Sequence, residues 1–178
     1  MIELLRGTAA DAAPIAEVFL ESFHATYAFP LAHSDDEVRG WVRDRLVPTY
    51  ETWVAVDGGR VVAFMALLPG HLEQLYVAPD RLGTGIGRQL VDLAKQRSPE
   101  GLSLWTFQVN DRARRFYERN GFVAAEFGDG STNQERQPDV RYEWSPSTEQ
   151  PSAVTQSARS GPAASNATSR PARSLRVT

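Results

Sequence analysis

Leu75-Tyr76-Val77-Ala78-Pro79-Asp80-Arg81-Leu82-Gly83-Thr84-Gly85-Ile86-Gly87-Arg88-Gln89-Leu90 is the stretch whose reading decides the fold. Its first part closes a β-rich run, residues 71–77, entered from the Pro69-Gly70 turn. Its second part is a glycine-rich loop, residues 83–87, that opens a helix with Ile86, Leu90 and Leu93 on one face. Closely spaced glycines let backbone N–H groups approach a ligand without Cβ obstruction, and the helix N-terminus adds unpaired donors and partial positive charge. The combination suits a pyrophosphate, although a tight βα turn without a ligand uses the same residues. A P-loop is excluded, because G-x-x-x-x-G-K-[ST] is absent. A dinucleotide fingerprint fits poorly, since its third glycine falls on Arg88 and the loop follows a hairpin instead of opening the chain.

Working outward, residues 2–5 read as a first strand, and Thr8 to Asp11 as a capping box ahead of a helix carrying Ile15, Val18 and Phe19. A loop, 24–33, leads to a second helix over 35–46, capped by Ser34, with an acidic first turn. The period then changes. Residues 53–56 and 61–68 are β-rich and joined by Asp57-Gly58-Gly59-Arg60, a hairpin signal. Residues 102–109 form a strand, Asn110 or Asp111 caps a helix ending at Gly121, and 122–127 and 140–144 complete the sheet around a polar loop, 128–139. The order β-α-α-β-β-β-α-β-α-β-β mixes antiparallel hairpins with two crossover helices, which is an α/β (α+β) chain with a mixed, mainly antiparallel twisted sheet flanked by helices.

Composition sets the boundaries. All 17 aromatic residues of the 178-residue chain lie at or before Trp144. Residues 145–178 are rich in Ser, Ala, Pro and Arg and nearly free of large apolar side chains, so a disordered tail is expected after a single domain at 1–144. The chain carries net charge −3, divided as −6 over 1–144 and +3 over the tail. An acidic domain argues against non-specific nucleic-acid binding and for cationic partners. With no cysteine there is neither a disulfide nor a thiolate site, and the three histidines lack metal-ligand spacing, so no metal is expected. No run is long and apolar enough for a membrane span, and the N-terminus lacks a leader pattern, so the expected location is cytoplasmic.

Two blocks together resemble the GNAT superfamily of acyl-CoA-dependent N-acyltransferases. One is the stretch quoted above, similar to that family's [Q/R]-x-x-G-x-[G/A] signature. The other is Asn110-x-x-Ala113-x-x-Phe116-Tyr117-Glu118-Arg119-Asn120-Gly121-Phe122. The resemblance covers residues 2–144, and is close to a bacterial subset with Leu104-Trp-Thr-Phe-Gln108 and a late Asp129-Gly-Ser…Pro138-Asp-Val-Arg-Tyr142 segment. It departs at Leu82, where the family has Gln or Arg, so a side-chain contact to phosphate would fall to Arg81 or Arg88.

The resemblance implies acetyl transfer from acetyl-CoA to a primary amine of a small molecule or peptide. It places pantetheine along Leu75 and Val77, pyrophosphate on the amides of Gly83, Thr84, Gly85, Ile86, Gly87 and Arg88, with Leu82 next to them in the cofactor site, and Asn110 beside the pantetheine arm. It makes Tyr117 the general acid, whereas periodicity alone reads Phe116-Tyr117 as a core pair. For the base, strand alternation puts His71, Glu73, Leu75 and Val77 on one face, so Glu73, His71 or an ordered water remain alternatives. The acceptor pocket is expected from 24–37, 102–109 and 128–139, with His24, His33, Asp35, Asp36, Glu37, Asp129, Glu135 and Asp139 on its rim, and Trp105 and Phe107 between core and pocket. A protein N-terminal or lysine acetyltransferase and a non-catalytic acyl-CoA sensor stay open as alternatives. Dimers are common in the family, which raises a homodimer.

Overall fold

The computed structural model describes residues 1–146, so nearly all of the expected tail lies outside the described residues. The chain runs β1 (Ile2–Arg6), α1 (Ala12–Thr26), α2 (Asp35–Trp41), α3 (Val47–Thr49), β2 (Glu51–Asp57), β3 (Arg60–Leu68), β4 (His71–Val77), α4 (Ile86–Arg97), β5 (Leu102–Phe107), α5 (Asp111–Arg119), β6 (Val123–Gly128) and β7 (Asp139–Trp144). This is the expected order with one extension. A π-helical turn, Val42–Leu46, carries α2 on into α3, where Pro48 sits in the first turn and needs no intrahelical donor.

The β2–β3 hairpin shows how closely local sequence dictates geometry. Asp57 pairs with Arg60 across a two-residue loop. Gly58 and Gly59 take φ of 57° and 81°, the left-handed pair that matches the twist of the flanking strands. Ser34 and Glu37 form the reciprocal cap that starts α2.

The seven strands lie in the order β1-β2-β3-β4-β5-β7-β6. Every neighbouring pair is antiparallel except β4 and β5, which run parallel and pair only at His71 with Ser103 and Leu72 with Leu104. Past Leu72 the two central strands part. On one face of the sheet, Ile15, Phe19 and Phe23 of α1 and Val38 of α2 pack on Val54, Phe64 and Tyr76. On the other, Ile86, Leu90 and Ala94 of α4 and Tyr117 of α5 pack on Met65, Leu75, Leu104 and Tyr142. Helices on both faces bury both sides of the central strands, which explains why β3 reads as an almost unbroken apolar run.

One expectation fails at β4. Leu67 pairs with Leu72 but Ala66 pairs with Gln74, so Glu73 is an extra residue in a β-bulge. Simple alternation therefore does not hold from His71 to Val77. Leu72 and Leu75, three residues apart, enter the same core.

Leu90 is fully buried between α4 and the sheet. Leu90→Ala should lower the unfolding free energy by about 2–5 kcal/mol, read from the shift of the urea midpoint.

Candidate active site

Where β4 and β5 part, a cleft of about 660 Å³ opens, lined from both faces of the sheet. Ser22 and Tyr27 come from α1 and its C-cap, Leu75, Tyr76 and Val77 from β4, the glycine loop and Arg88 from the start of α4, and Asn110 and Tyr117 from α5 and its cap. With β5 gone past Leu72, the edge of β4 at Leu75–Val77 lines the cleft. Ser22 Oγ donates to the Val77 carbonyl at 2.8 Å and ties α1 to the rim.

The glycine loop forms a cradle. Gly83 and Gly85 have φ of 81° and 87°, and a Cβ built on either would meet open space. The Leu82 N–H donates to the Pro79 carbonyl at 3.4 Å and the Gln89 N–H to the carbonyl of the N-cap Gly85 at 3.2 Å, so the N–H groups open to a ligand are those between, at residues 83–88. Four arginines line the same cleft. Arg81 is held by Asp80 at 3.0 Å and Asp57 at 3.5 Å, and Arg88 lies 3.6 Å from Asp92 and is largely exposed. Arg112 and Arg119 stand one above the other on α5, at i and i+7. The residues present thus fit a pyrophosphate-bearing ligand: open backbone donors, no Cβ, and cationic side chains at the rim.

Not every expected residue contributes in the same way. Leu82, Gly83, Gly85, Ile86, Gly87 and Arg88 line the cleft, but Thr84 does not, and its hydroxyl turns back to donate to the Arg81 carbonyl at 2.6 Å. Gly87 has a packing reason of its own, since a Cβ there would lie 3.3 Å from the Phe116 ring. Arg112 and Arg119 were missed by sequence reasoning, though their seven-residue spacing across Phe116 was the available signal.

Tyr117 is 1 % exposed and lines the cleft, with its ring against Phe116, Phe122 and Tyr142. It is therefore both core and cleft residue. Burial, and then the nearby Tyr27 phenol, raise its pKa above the usual tyrosine value and keep the hydroxyl protonated. Asn110 caps α5 by accepting from the Ala113 N–H at 3.0 Å and donates from Nδ2 to the Tyr27 hydroxyl at 2.7 Å. Burial raises Tyr27 as well, against the lowering effect of hydrogen bonds with Asn110 and Thr106.

His71 and Glu73 are placed elsewhere. Their side chains are 3.3 Å apart, His71 Nδ1 lies 2.9 Å from Ser103 Oγ, and neither residue lines the cleft. The bulge at Glu73 breaks the alternation that would have put them in line with Leu75 and Val77.

Most of the expected acidic rim is occupied with local structure. Asp35 lies 3.1 Å from His24, Asp36 pairs with Arg39, and Glu37 bonds Ser34. Asp129 accepts from the Ser131 N–H, and Asp139 accepts from Asn133 Nδ2 at 3.2 Å. Phe107 is core, packed edge-on to Tyr27 and Phe29, and Trp105 is buried. Glu135 is the exception. It is 9 % exposed, and both carboxylate oxygens are buried without a hydrogen-bond partner. Beside it, His33 Nε2 lies 2.9 Å from Gln134 Oε1. Among the described residues, no group of three or more His, Asp or Glu side chains could hold a metal ion, and no helix is long and apolar enough to cross a membrane.

A sheet that parts at its parallel pair, with a glycine cradle at the mouth of the gap, defines a GNAT N-acetyltransferase, and the chain belongs to that family. Residues 48–124 match the model of the acetyltransferase (GNAT) domain. The chain is 32 % identical over 109 residues to the peptidyl-lysine N-acetyltransferase YiaC of Escherichia coli strain K12, covering 61 % of this chain and 74 % of that protein. It is likewise 32 % identical over 123 residues to the peptidyl-lysine N-acetyltransferase YjaB of the same strain, covering 68 % and 82 %. The solution structure of apo YjaB superposes with a TM-score of 0.68 at 28 % identity, over 80 % of this chain and 97 % of that one. The fold is shared too with the PaiA N-acetyltransferase of Thermoplasma acidophilum, solved in complex with coenzyme A, at a TM-score of 0.64 and 22 % identity, over 82 % and 99 %. The protein is an acetyl-CoA-dependent N-acetyltransferase.

The buried Glu135 carboxylate, which is not part of the cleft lining, gives the fold a pH signature. Burial raises its pKa above the ordinary 4.5, partly offset by its own backbone N–H and by His33. Between 4.5 and the raised value the folded chain holds a proton that the unfolded chain has released, so stability falls as pH rises through that window. Thermal unfolding across pH should show Glu135→Gln gaining on wild type towards neutral pH, with the gain absent below 4.5, where both side chains are neutral.

Proposed function

We propose that this enzyme acetylates a primary amine, with the lysine side chain of a protein as the first acceptor class to test. The peptidyl-lysine activity named for YiaC and YjaB supports that class over a free small molecule. The observation that carries the reading is the continuity of one cleft from the glycine cradle, along the β4 edge, to the Tyr117 hydroxyl.

In this reading the amides of residues 83–88 receive the pyrophosphate of acetyl-CoA, and Arg88, Arg112 and Arg119 complete its charge neutralisation. Arg81 is already committed to Asp57 and Asp80 and sets the loop. The open edge at Leu75–Val77 lies along the pantetheine arm, and Asn110 fixes both the start of α5 and the Tyr27 hydroxyl that faces it. Bound acetyl-CoA supplies an activated carbonyl and a thiolate leaving group. Tyr117 Oη holds the proton that such a thiolate needs, and its raised pKa keeps that proton in place at neutral pH. An alkylamine has an unperturbed pKa of about 10.4 and must lose a proton before it attacks. The His71–Glu73 pair stands away from the cleft, so in this reading water in the cleft carries that proton to solvent.

Two outcomes test the reading. Acetyl-CoA at about 100 times its Kd should stabilise the fold by about 2.7 kcal/mol, seen as a raised Tm, whereas NADH should not, and the opposite pattern would remove the assignment. Tyr117→Phe should keep the acetyl-CoA shift but lower kcat on a lysine peptide by about 10²–10⁴. An unchanged kcat would remove Tyr117 from the chemistry.

A further inference from the structure

The cleft is lined by four arginines and, among the described residues, by no Asp or Glu, although residues 1–144 carry net charge −6. Two of the four are engaged: Arg81 holds Asp57 and Asp80, and Arg88 lies 3.6 Å from Asp92. Arg112 and Arg119 are exposed, and among the described residues neither pairs with a carboxylate. Arg119 gives only its Nε, to the Arg115 carbonyl at 3.1 Å.

The acids of α5 do not serve these two arginines. Asp111 and Glu118 form a row of their own, one residue before each arginine and so about 100° away around the helix. Glu118 accepts from the Tyr142 hydroxyl at 2.7 Å. Asp111 lies 3.8 Å from Arg114, which also donates to the Gln108 carbonyl. The helix therefore separates its charges, with a paired flank towards β7 and an uncompensated arginine row on the cleft. Packing sets that row beside the glycine cradle. Phe116 lies four residues after Arg112 and three before Arg119, on the same helical face. The Phe116 ring is what a Cβ on Gly87 would meet, at 3.3 Å. The start of α4 and the arginine face of α5 are thus in contact, and the N–H groups of residues 83–88 and both guanidiniums border one cleft.

The cradle and Arg88 already offer what a pyrophosphate requires: backbone donors, a helix start and a cation. Two more uncompensated guanidiniums on the facing wall exceed that requirement, and each presents a planar fork of donors suited to a phosphate. Coenzyme A has a second anionic group, the 3′-phosphate monoester of its ribose, which carries a charge of about −1.5 to −2 at neutral pH. Residues i and i+7 stand about 10.5 Å apart along a helix axis, a gap that two long side chains close from either side of one anion.

We propose that Arg112 and Arg119 bind the 3′-phosphate of acetyl-CoA, so that the enzyme selects CoA thioesters over acyl donors that end at phosphopantetheine. The proposal rests on the placement of acetyl-CoA in the reading above, whose donor it specifies.

The test is calorimetric titration of the full chain with coenzyme A and with 3′-dephospho-coenzyme A, which keeps the pyrophosphate and the pantetheine arm. Wild type should bind the dephospho form about tenfold or more weaker. The double variant Arg112→Gln, Arg119→Gln should lose most of that preference, mainly through weaker binding of coenzyme A. Arg115→Gln removes the same charge from the same helix at an exposed position that does not line the cleft, and should keep the preference. Equal affinity of wild type for the two ligands overturns the proposal. So does a preference that survives in the double variant, or one that falls as far in Arg115→Gln. Those results leave amine transfer standing, which turnover of acetyl-CoA with a lysine peptide reads separately. If wild type binds neither ligand, the placement of the cofactor in this cleft falls together with the site.

Discussion

The parallel contact between β4 and β5 is two residue pairs long, and the rest of the site depends on its brevity. Parallel strands need a crossover, here α4, and that crossover begins with the glycine cradle. Had the pairing continued to Val77, the edge of β4 would be filled with ladder bonds and the cleft closed. Instead the strands part, and the space is taken by side chains from both faces: Tyr27 and Ser22 from the α1 side, Tyr117 from the α5 side. Asn110 joins these sides by capping α5 with one end of its amide and bonding Tyr27 with the other.

Charge is distributed by site, not by chain. The net charge over 1–144 is negative, yet the mouth of the cleft is lined by Arg81, Arg88, Arg112 and Arg119. The same cleft carries the phenols of Tyr27, Tyr76 and Tyr117, which burial keeps protonated. Most acidic side chains once counted towards an acceptor rim are helix caps, turn caps and surface ion pairs, each worth little individually.

Much of the fold was legible because its signals are local. The Gly58-Gly59 hairpin, the Ser34 cap and the Asn110 cap each depend on a few adjacent residues, and each formed as read. The glycine cradle was legible for the same reason. What failed was register. The bulge at Glu73 leaves no mark in composition, since it arises from how β3 and β4 align across seven residue positions, and it removed the ground for ranking Glu73 and His71 with Leu75. The Thr84 hydroxyl plays no part in the cradle, since it bonds the Arg81 carbonyl, which leaves only its backbone amide facing the same turn as its neighbours.

By itself, the sequence determined the order of elements, the hairpins and caps, and the glycine loop at the start of α4, because propensity, turn chemistry and hydrophobic period act over a few residues. Only the tertiary structure decided which polar groups lack partners. Glu135 and Asp139 are both acidic residues of one loop, and composition cannot tell them apart. Asp139 meets Asn133, while Glu135 buries both carboxylate oxygens without a hydrogen-bond partner among the other described residues. Satisfaction of a buried charge depends on what the rest of the chain brings within 3 Å or so, and that is a property of packing, not of sequence neighbours.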